Sequence, residues 1–179
     1  MTQLIEKIER SNNRPSDPRN QEAIYPVADP QYADLATPIN SSPLVRAFVS
    51  NLSAYRHGLS PLRRGLEAGL AHGYILVGPF AKFNPLRYTE SGTLIALLSA
   101  LALVLISSLA IVFYAASNPP GPLSAVAAPT PPDAFKSQKG WNEYAKGFTL
   151  GGSIGAIAAY FILANFDVYG NFLTLIGAK

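Results

Sequence analysis

Two ionisable side chains interrupt an otherwise apolar stretch. Residues 62–79 read LRRGLEAGLAHGYILVGP, with Arg63 and Arg64 at the start and Glu67 and His72 inside. A carboxylate or imidazole in a membrane helix is costly, about 2.5–3.5 kcal/mol for a charge on insertion scales, so each needs a partner. That partner can be another residue, an ion or a metal-bearing pigment. A neutral imidazole nitrogen is a common metal ligand, and a hard ion such as Mg2+ accepts carboxylate oxygen.

Spacing narrows the chemistry. Gly65, Gly69 and Gly73 recur every four residues and line one helix face. At 100° per residue, His72 lies about 20° from Gly65 around the axis, and Glu67 about 160° from the middle of the strip. The two polar groups therefore serve different sides of the helix, which argues against a Glu67–His72 relay and for two separate ligands. A planar magnesium macrocycle over the glycines, with its metal on His72, fits this geometry. The alternative is that the glycines are a helix–helix packing face and His72 hydrogen-bonds to a neighbour.

The elements that must carry these residues belong to a membrane protein. Hydrophobic residues make up 49% of the 179 and charged residues only 14%, against about 25% charged in soluble domains. Mean hydropathy is +0.17. With no cysteine, disulfides, thiolate metal sites and cysteine nucleophiles are excluded. A net charge of +3 is too small to argue for nucleic acid. No nucleophile–base pair or phosphate loop stands out, so an enzyme is not expected. The first thirty residues lack the apolar core of a signal peptide, so insertion is expected to depend on later helices.

Taken in order, residues 1–60 predict an extended, proline-rich N-terminal segment ending in a short interfacial helix over about 43–56. Ser42 is its cap, Pro43 its first residue, and Leu44, Phe48, Leu52 and Tyr55 its apolar stripe. His57, before the helix-stopping Gly58, is a minor candidate ligand. Residues 61–179 predict a three-helix transmembrane domain with spans at about 61–83, 93–116 and 144–166. The second is the clearest, since 93–116 carries no charge and suits a hydrocarbon core of about 30 Å. Residues 117–141 hold six prolines and read as an irregular loop. In the third span Gly147, Gly151, Gly155 and Ala159 repeat the four-residue spacing, a face for close approach of helices or pigments. The arginines before the first span place the N-terminus and the second loop on the cytoplasmic side, and the C-terminus opposite. The fold class is thus an all-α membrane protein with three transmembrane helices. A transporter or proton-relay subunit using Glu67 and His72 is the functional alternative, though the other two helices offer no facing ionisable group. A pigment-free assembly scaffold is a third reading.

Residues 34–87, DLATPINSSPLVRAFVSNLSAYRHGLSPLRRGLEAGLAHGYILVGPFAKFNPLR, and 139–166, KGWNEYAKGFTLGGSIGAIAAYFILANF, resemble photosystem I reaction-centre subunit XI, the L subunit, of cyanobacterial type. The resemblance implies a multi-pass thylakoid protein, its N-terminus cytoplasmic or stromal and its C-terminus lumenal. It implies chlorophyll a and beta-carotene as cofactors, with Glu67 and His72 as axial ligands to chlorophyll magnesium. Implied partners are the large photosystem I core subunits, the small I and M subunits, L subunits of neighbouring monomers and membrane lipids. Trimer-forming relatives often carry an aspartate after the first-loop PLR, beside a calcium ion. Here that position is Tyr88, a poorer calcium ligand, so calcium is expected only if Glu90 substitutes. The long NPPGP…PTPP loop resembles those of relatives forming dimers and tetramers, and a tetramer or dimer is expected over a trimer.

Overall fold

The structure is a computed structural model that describes residues 39, 42–122 and 130–166. The expected extended N-terminal segment, the middle of the proline-rich loop and the C-terminal tail lie outside the described residues. Two compact units are present, one up to Gly58 with residues 122–132, the other holding 59–121 and the chain from Asp133 onward.

In the first unit, helix α1 spans Pro43–Asn51. The Ser42 hydroxyl accepts a hydrogen bond from the Val45 N–H at 3.3 Å, and Pro43, which lacks an N–H, costs nothing at the first position. Its apolar residues Leu44 and Phe48 are exposed. The helix is shorter than the expected 43–56, because Leu52 is extended (φ −62°, ψ 147°). The Tyr55 and Arg56 N–H groups then close turns by donating to the Leu52 carbonyl at 3.0 and 2.8 Å.

The second unit is helical: α2 (Pro61–Phe83), α3 (Gly92–Ala116), a 3-10 turn (Asp133–Lys136) and α4 (Gln138–Ala164). The first two match the expected boundaries closely. Ser60 caps α2 by accepting the Arg63 N–H at 3.3 Å, and the helix runs on through Pro79. By contrast, α4 starts six residues before the expected 144. Ser137 supplies the reason: its hydroxyl accepts the Gly140 N–H at 3.2 Å. The expectation of an irregular loop over 117–141 is corrected accordingly, since its end is the 3-10 turn and the first turn of α4. Trp141 fastens this end by donating its indole N–H to the Phe135 carbonyl at 2.8 Å and packing edge-on to Tyr114 of α3.

Helices α2 and α4 run parallel and pack most intimately, with α3 antiparallel against both. A Cβ at Gly65 would overlap the Tyr144 carbonyl, one at Gly69 the Phe148 carbonyl, and one at Gly73 the Gly152 carbonyl. Reciprocally, Gly147, Gly151 and Gly155 meet the carbonyls of Leu62, Leu66 and Leu70. Each strip thus receives the backbone of the other helix. Along the α3 side the core is made of small residues, Ala96, Ala100, Ala156 and Ala159, around Val77 and Leu97. The Thr149 hydroxyl, 2.7 Å from Ser108 Oγ, ties α4 to α3, while Ser108 donates to the Val104 carbonyl at 2.8 Å.

Helices α3 and α4 are long and apolar enough to cross a membrane, with mean hydropathies of 2.8 and 1.6 over their best stretches. Only 22% of that stretch of α3 is buried within the protein. Its outward residues, among them Ile106, Leu109 and Phe113, are exposed. Such continuous apolar surface requires a nonaqueous or protein neighbour. At 23 residues, α2 is about 34 Å long by the rise of an α-helix.

Candidate functional site

The expected macrocycle floor at Gly65, Gly69 and Gly73 is corrected by the packing of α2. All three glycines are buried, and the space above them is filled by α4 backbone. No ring can lie there without separating the helices. The packing alternative for the strip is the one the structure adopts.

His72 escapes this burial. It stands at the rim of the α2–α4 seam and is exposed. Val77, about 140° further round α2 at 100° per residue, lies in the core shared with α3, so His72 is on the flank turned away from α3. Two contacts hold its ring. Nδ1 lies 2.7 Å from the Ala68 carbonyl one turn back. A carbonyl only accepts, so this hydrogen bond uses an Nδ1–H and leaves Nε2 pointing away from the backbone. On the other side the Phe148 ring of α4 packs at 5.6 Å between centroids, tilted by 56°. Fixing one ring nitrogen by a backbone carbonyl is the usual way a metal-ligating histidine is oriented. A ring nitrogen held in this way among apolar neighbours is one that could hold a metal-bearing group.

Glu67 lies on the other side of α2, and its Oε1 is 3.6 Å from Arg63 Nε one turn earlier. This i,i+4 pair supplies the carboxylate with a cationic neighbour. Arg64 behaves differently from Arg63: it is 2% exposed, and its Nε donates to the Leu59 carbonyl at 3.0 Å. The sequence places both arginines at the start of the span, but only Arg63 faces outward. Sequence reasoning also missed Ala68 and Phe148 as the residues that set the imidazole. The signal for Ala68 was its place four residues before His72. Nothing in the sequence marked Phe148.

The other candidates stand apart. His57 is exposed in the turn before Gly58, which has φ +78°, and belongs to the first unit. Glu90 is exposed in the loop between α2 and α3. Among the described residues no three His, Asp or Glu side chains converge on a metal-sized space. Tyr88 instead stacks under a cation, with Arg87 Cζ 4.4 Å from its ring centroid.

Comparison with known proteins gives a consistent result. The family model described as photosystem I reaction centre subunit XI matches residues 23–168. Proteins named photosystem I reaction center subunit XI align along most of both chains. That of Trichormus variabilis is 52% identical over 164 residues, covering 91% of this chain and 95% of the relative. That of Mastigocladus laminosus is 52% identical over 166 residues, covering 92% and 96%. That of Thermosynechococcus vestitus is 40% identical over 146 residues, covering 82% and 90%.

Proposed function

The chain belongs to the photosystem I reaction centre subunit XI family, and on that premise we propose that it holds chlorophyll a and carotenoid beside the core and joins photosystem I monomers to one another. As a photosystem I subunit of cyanobacterial type it is a component of the thylakoid membrane, with other photosystem I subunits as its partners. Its role there is structural, and the transport alternative receives no support.

The observation that carries the reading is the setting of His72. Its Nδ1–H is held by the Ala68 carbonyl at 2.7 Å, so Nε2 is the ligating atom. Phe148, 5.6 Å away, limits rotation of the ring. Glu67 is the second ligand, on the opposite side of α2, with Arg63 Nε 3.6 Å from its Oε1. Chlorophyll, when bound, supplies light absorption and excitation transfer. The chain's own residues supply position: a stiff glycine-lined α2–α4 pair that keeps two donors on fixed, opposite sides. The apolar outer surfaces of α3 and α4 offer contact to carotenoid, to lipid and to the core and I and M subunits.

Three membrane spans follow on this reading. Helix α2, in contact with α4 from Leu62 to Tyr74, crosses alongside it. The N-terminus is then cytoplasmic and the α2–α3 loop lumenal. The proline-rich loop and the missing carboxylate at Tyr88 favour dimers or tetramers over a trimer, without calcium at that position. Replacement His72→Leu tests the ligand. The purified complex should lose one chlorophyll and red absorbance while keeping this chain. Unchanged pigment content and spectrum would remove His72 from the ligand set.

A further inference from the structure

We infer that the corner between α2 and α3 is a binding site for the phosphate headgroup of an anionic glycerolipid. Lys82, in the last turn of α2, and Arg87, in the loop, line one shallow groove with Phe83 and Tyr88. The groove is built and not merely charged. Asn84 folds the loop by accepting the Leu86 N–H at 2.8 Å and donating to the Gly92 carbonyl at 3.1 Å. Gly92, where α3 begins, packs on the backbone of Arg87, leaving no space for a Cβ. Tyr88 supports the guanidinium from its face at 4.4 Å, one Nη donates to the Asn84 carbonyl at 3.4 Å and fixes its direction, and the remaining in-plane N–H donors can serve a planar or tetrahedral anion. Among the described residues neither cation pairs with a carboxylate, Glu90 included.

The choice of a lipid over a free anion rests on what surrounds the charges. Phe83 is 78% and Leu86 49% exposed, both at the level where the two helices leave the apolar zone. Below them the outer faces of α2 and α3 are apolar, with Ile75 and Leu98 exposed. A ligand with one phosphate and two acyl chains satisfies both parts, whereas inorganic phosphate would leave the aromatic rim in water. Basic pockets between membrane helices bind anionic headgroups in this way. The site rests on the proposed crossing of α2 and goes beyond it.

The test uses intact, mildly delipidated photosystem I and two photoactivatable phosphatidylglycerol probes, one reactive in the headgroup and one midway along an acyl chain. The headgroup probe should label peptide 81–92 of this chain. Unlabelled phosphatidylglycerol should compete and phosphatidylcholine should not. The double variant Lys82→Gln/Arg87→Gln should weaken competition about thirtyfold, at roughly fivefold per cation near an anionic lipid, with Tyr88→Leu causing a smaller loss. Equal labelling in the double variant, or equal competition by phosphatidylcholine, would overturn the site. Displacement by millimolar inorganic phosphate would make it a free-anion site and overturn the lipid assignment. The acyl probe separates the two ideas. If it marks the outer faces of α2 and α3, the crossing stands and the headgroup result decides the site; if it misses α2, crossing and site fall together.

Discussion

Adding one methyl group to α2 should have very different effects at two positions nine residues apart. At Gly69 a Cβ would overlap the Phe148 carbonyl and press on Gly152. The obstacle is backbone, so no rotamer change relieves it. Carbon contacts need about 3.5–4.0 Å, and a gap of 0.5–1 Å forfeits a quarter to a half of the dispersion attraction. Parting α2 from α4 enough to admit the methyl therefore weakens the whole glycine seam, not one contact. Overpacking costs typically about 1–3 kcal/mol, and Gly69→Ala belongs at or above the top of that range. Gly78, on the same helix, has nothing within 4 Å of its Cβ position. There alanine meets no other helix, and its propensity gain of up to about 1 kcal/mol is opposed by crowding against Pro79, the next residue of the helix. The assay is thermal release of this chain from purified photosystem I, read on native gels with absorbance recorded in parallel. Gly69→Ala should release earlier and shift the red band, because Phe148 touches both Gly69 and His72. Gly78→Ala should release much closer to the parent than Gly69→Ala does. If both variants behave alike, the seam is not what holds the chain together.

Three further substitutions probe separate joints. Arg64→Gln should destabilise the chain more than Arg63→Gln, by about 1.5–3 kcal/mol for a lost charge-assisted bond, since Arg64 is 2% exposed and bonds to Leu59; equal release temperatures would contradict its inward role. Ser108→Ala should cost only about 0.6 kcal/mol, the usual size of an interhelical bond in a membrane, because the Thr149 hydroxyl also lies 2.9 Å from the Ala145 carbonyl; a loss of several kcal/mol would refute that compensation. Trp141→Phe keeps the ring contacts but removes the bond to Phe135, and should raise amide exchange in residues 133–137 without altering pigment content.

Much of the fold is written in local signals. Ser60-Pro61 at one end and Asn84 at the other delimit α2, and the uncharged run delimits α3. Local signals fail where a tertiary contact decides. The QKGW segment looks like loop because Gly140 is a poor helix residue, yet its missing Cβ is what lets the helix start against the Ala134 carbonyl. In α1 the apolar spacing continues to Tyr55, but the backbone leaves the helix at Leu52. At the site, Glu67 and His72 stand out by type. The glycines beside them were ambiguous because a strip without side chains accepts a flat ring or a helix equally well. The matching period of Gly147, Gly151 and Gly155 is the clue that resolves it, since two equal strips can fill each other.

That matching has a further consequence for assembly. Glycines lose no rotamer freedom when they meet, so the seam closes without side-chain ordering, but it also carries little information about alignment. A slide of α4 along α2 by four residues, about 6 Å at 1.5 Å per residue, would again set small residues against carbonyls. Intermediate positions would clash, so the helices can err only by whole turns. The correct step must be chosen elsewhere, by Thr149 on Ser108 and by Trp141 locked between Phe135 and Tyr114. These off-seam contacts act as a vernier, and with them rests the height of His72 in the membrane.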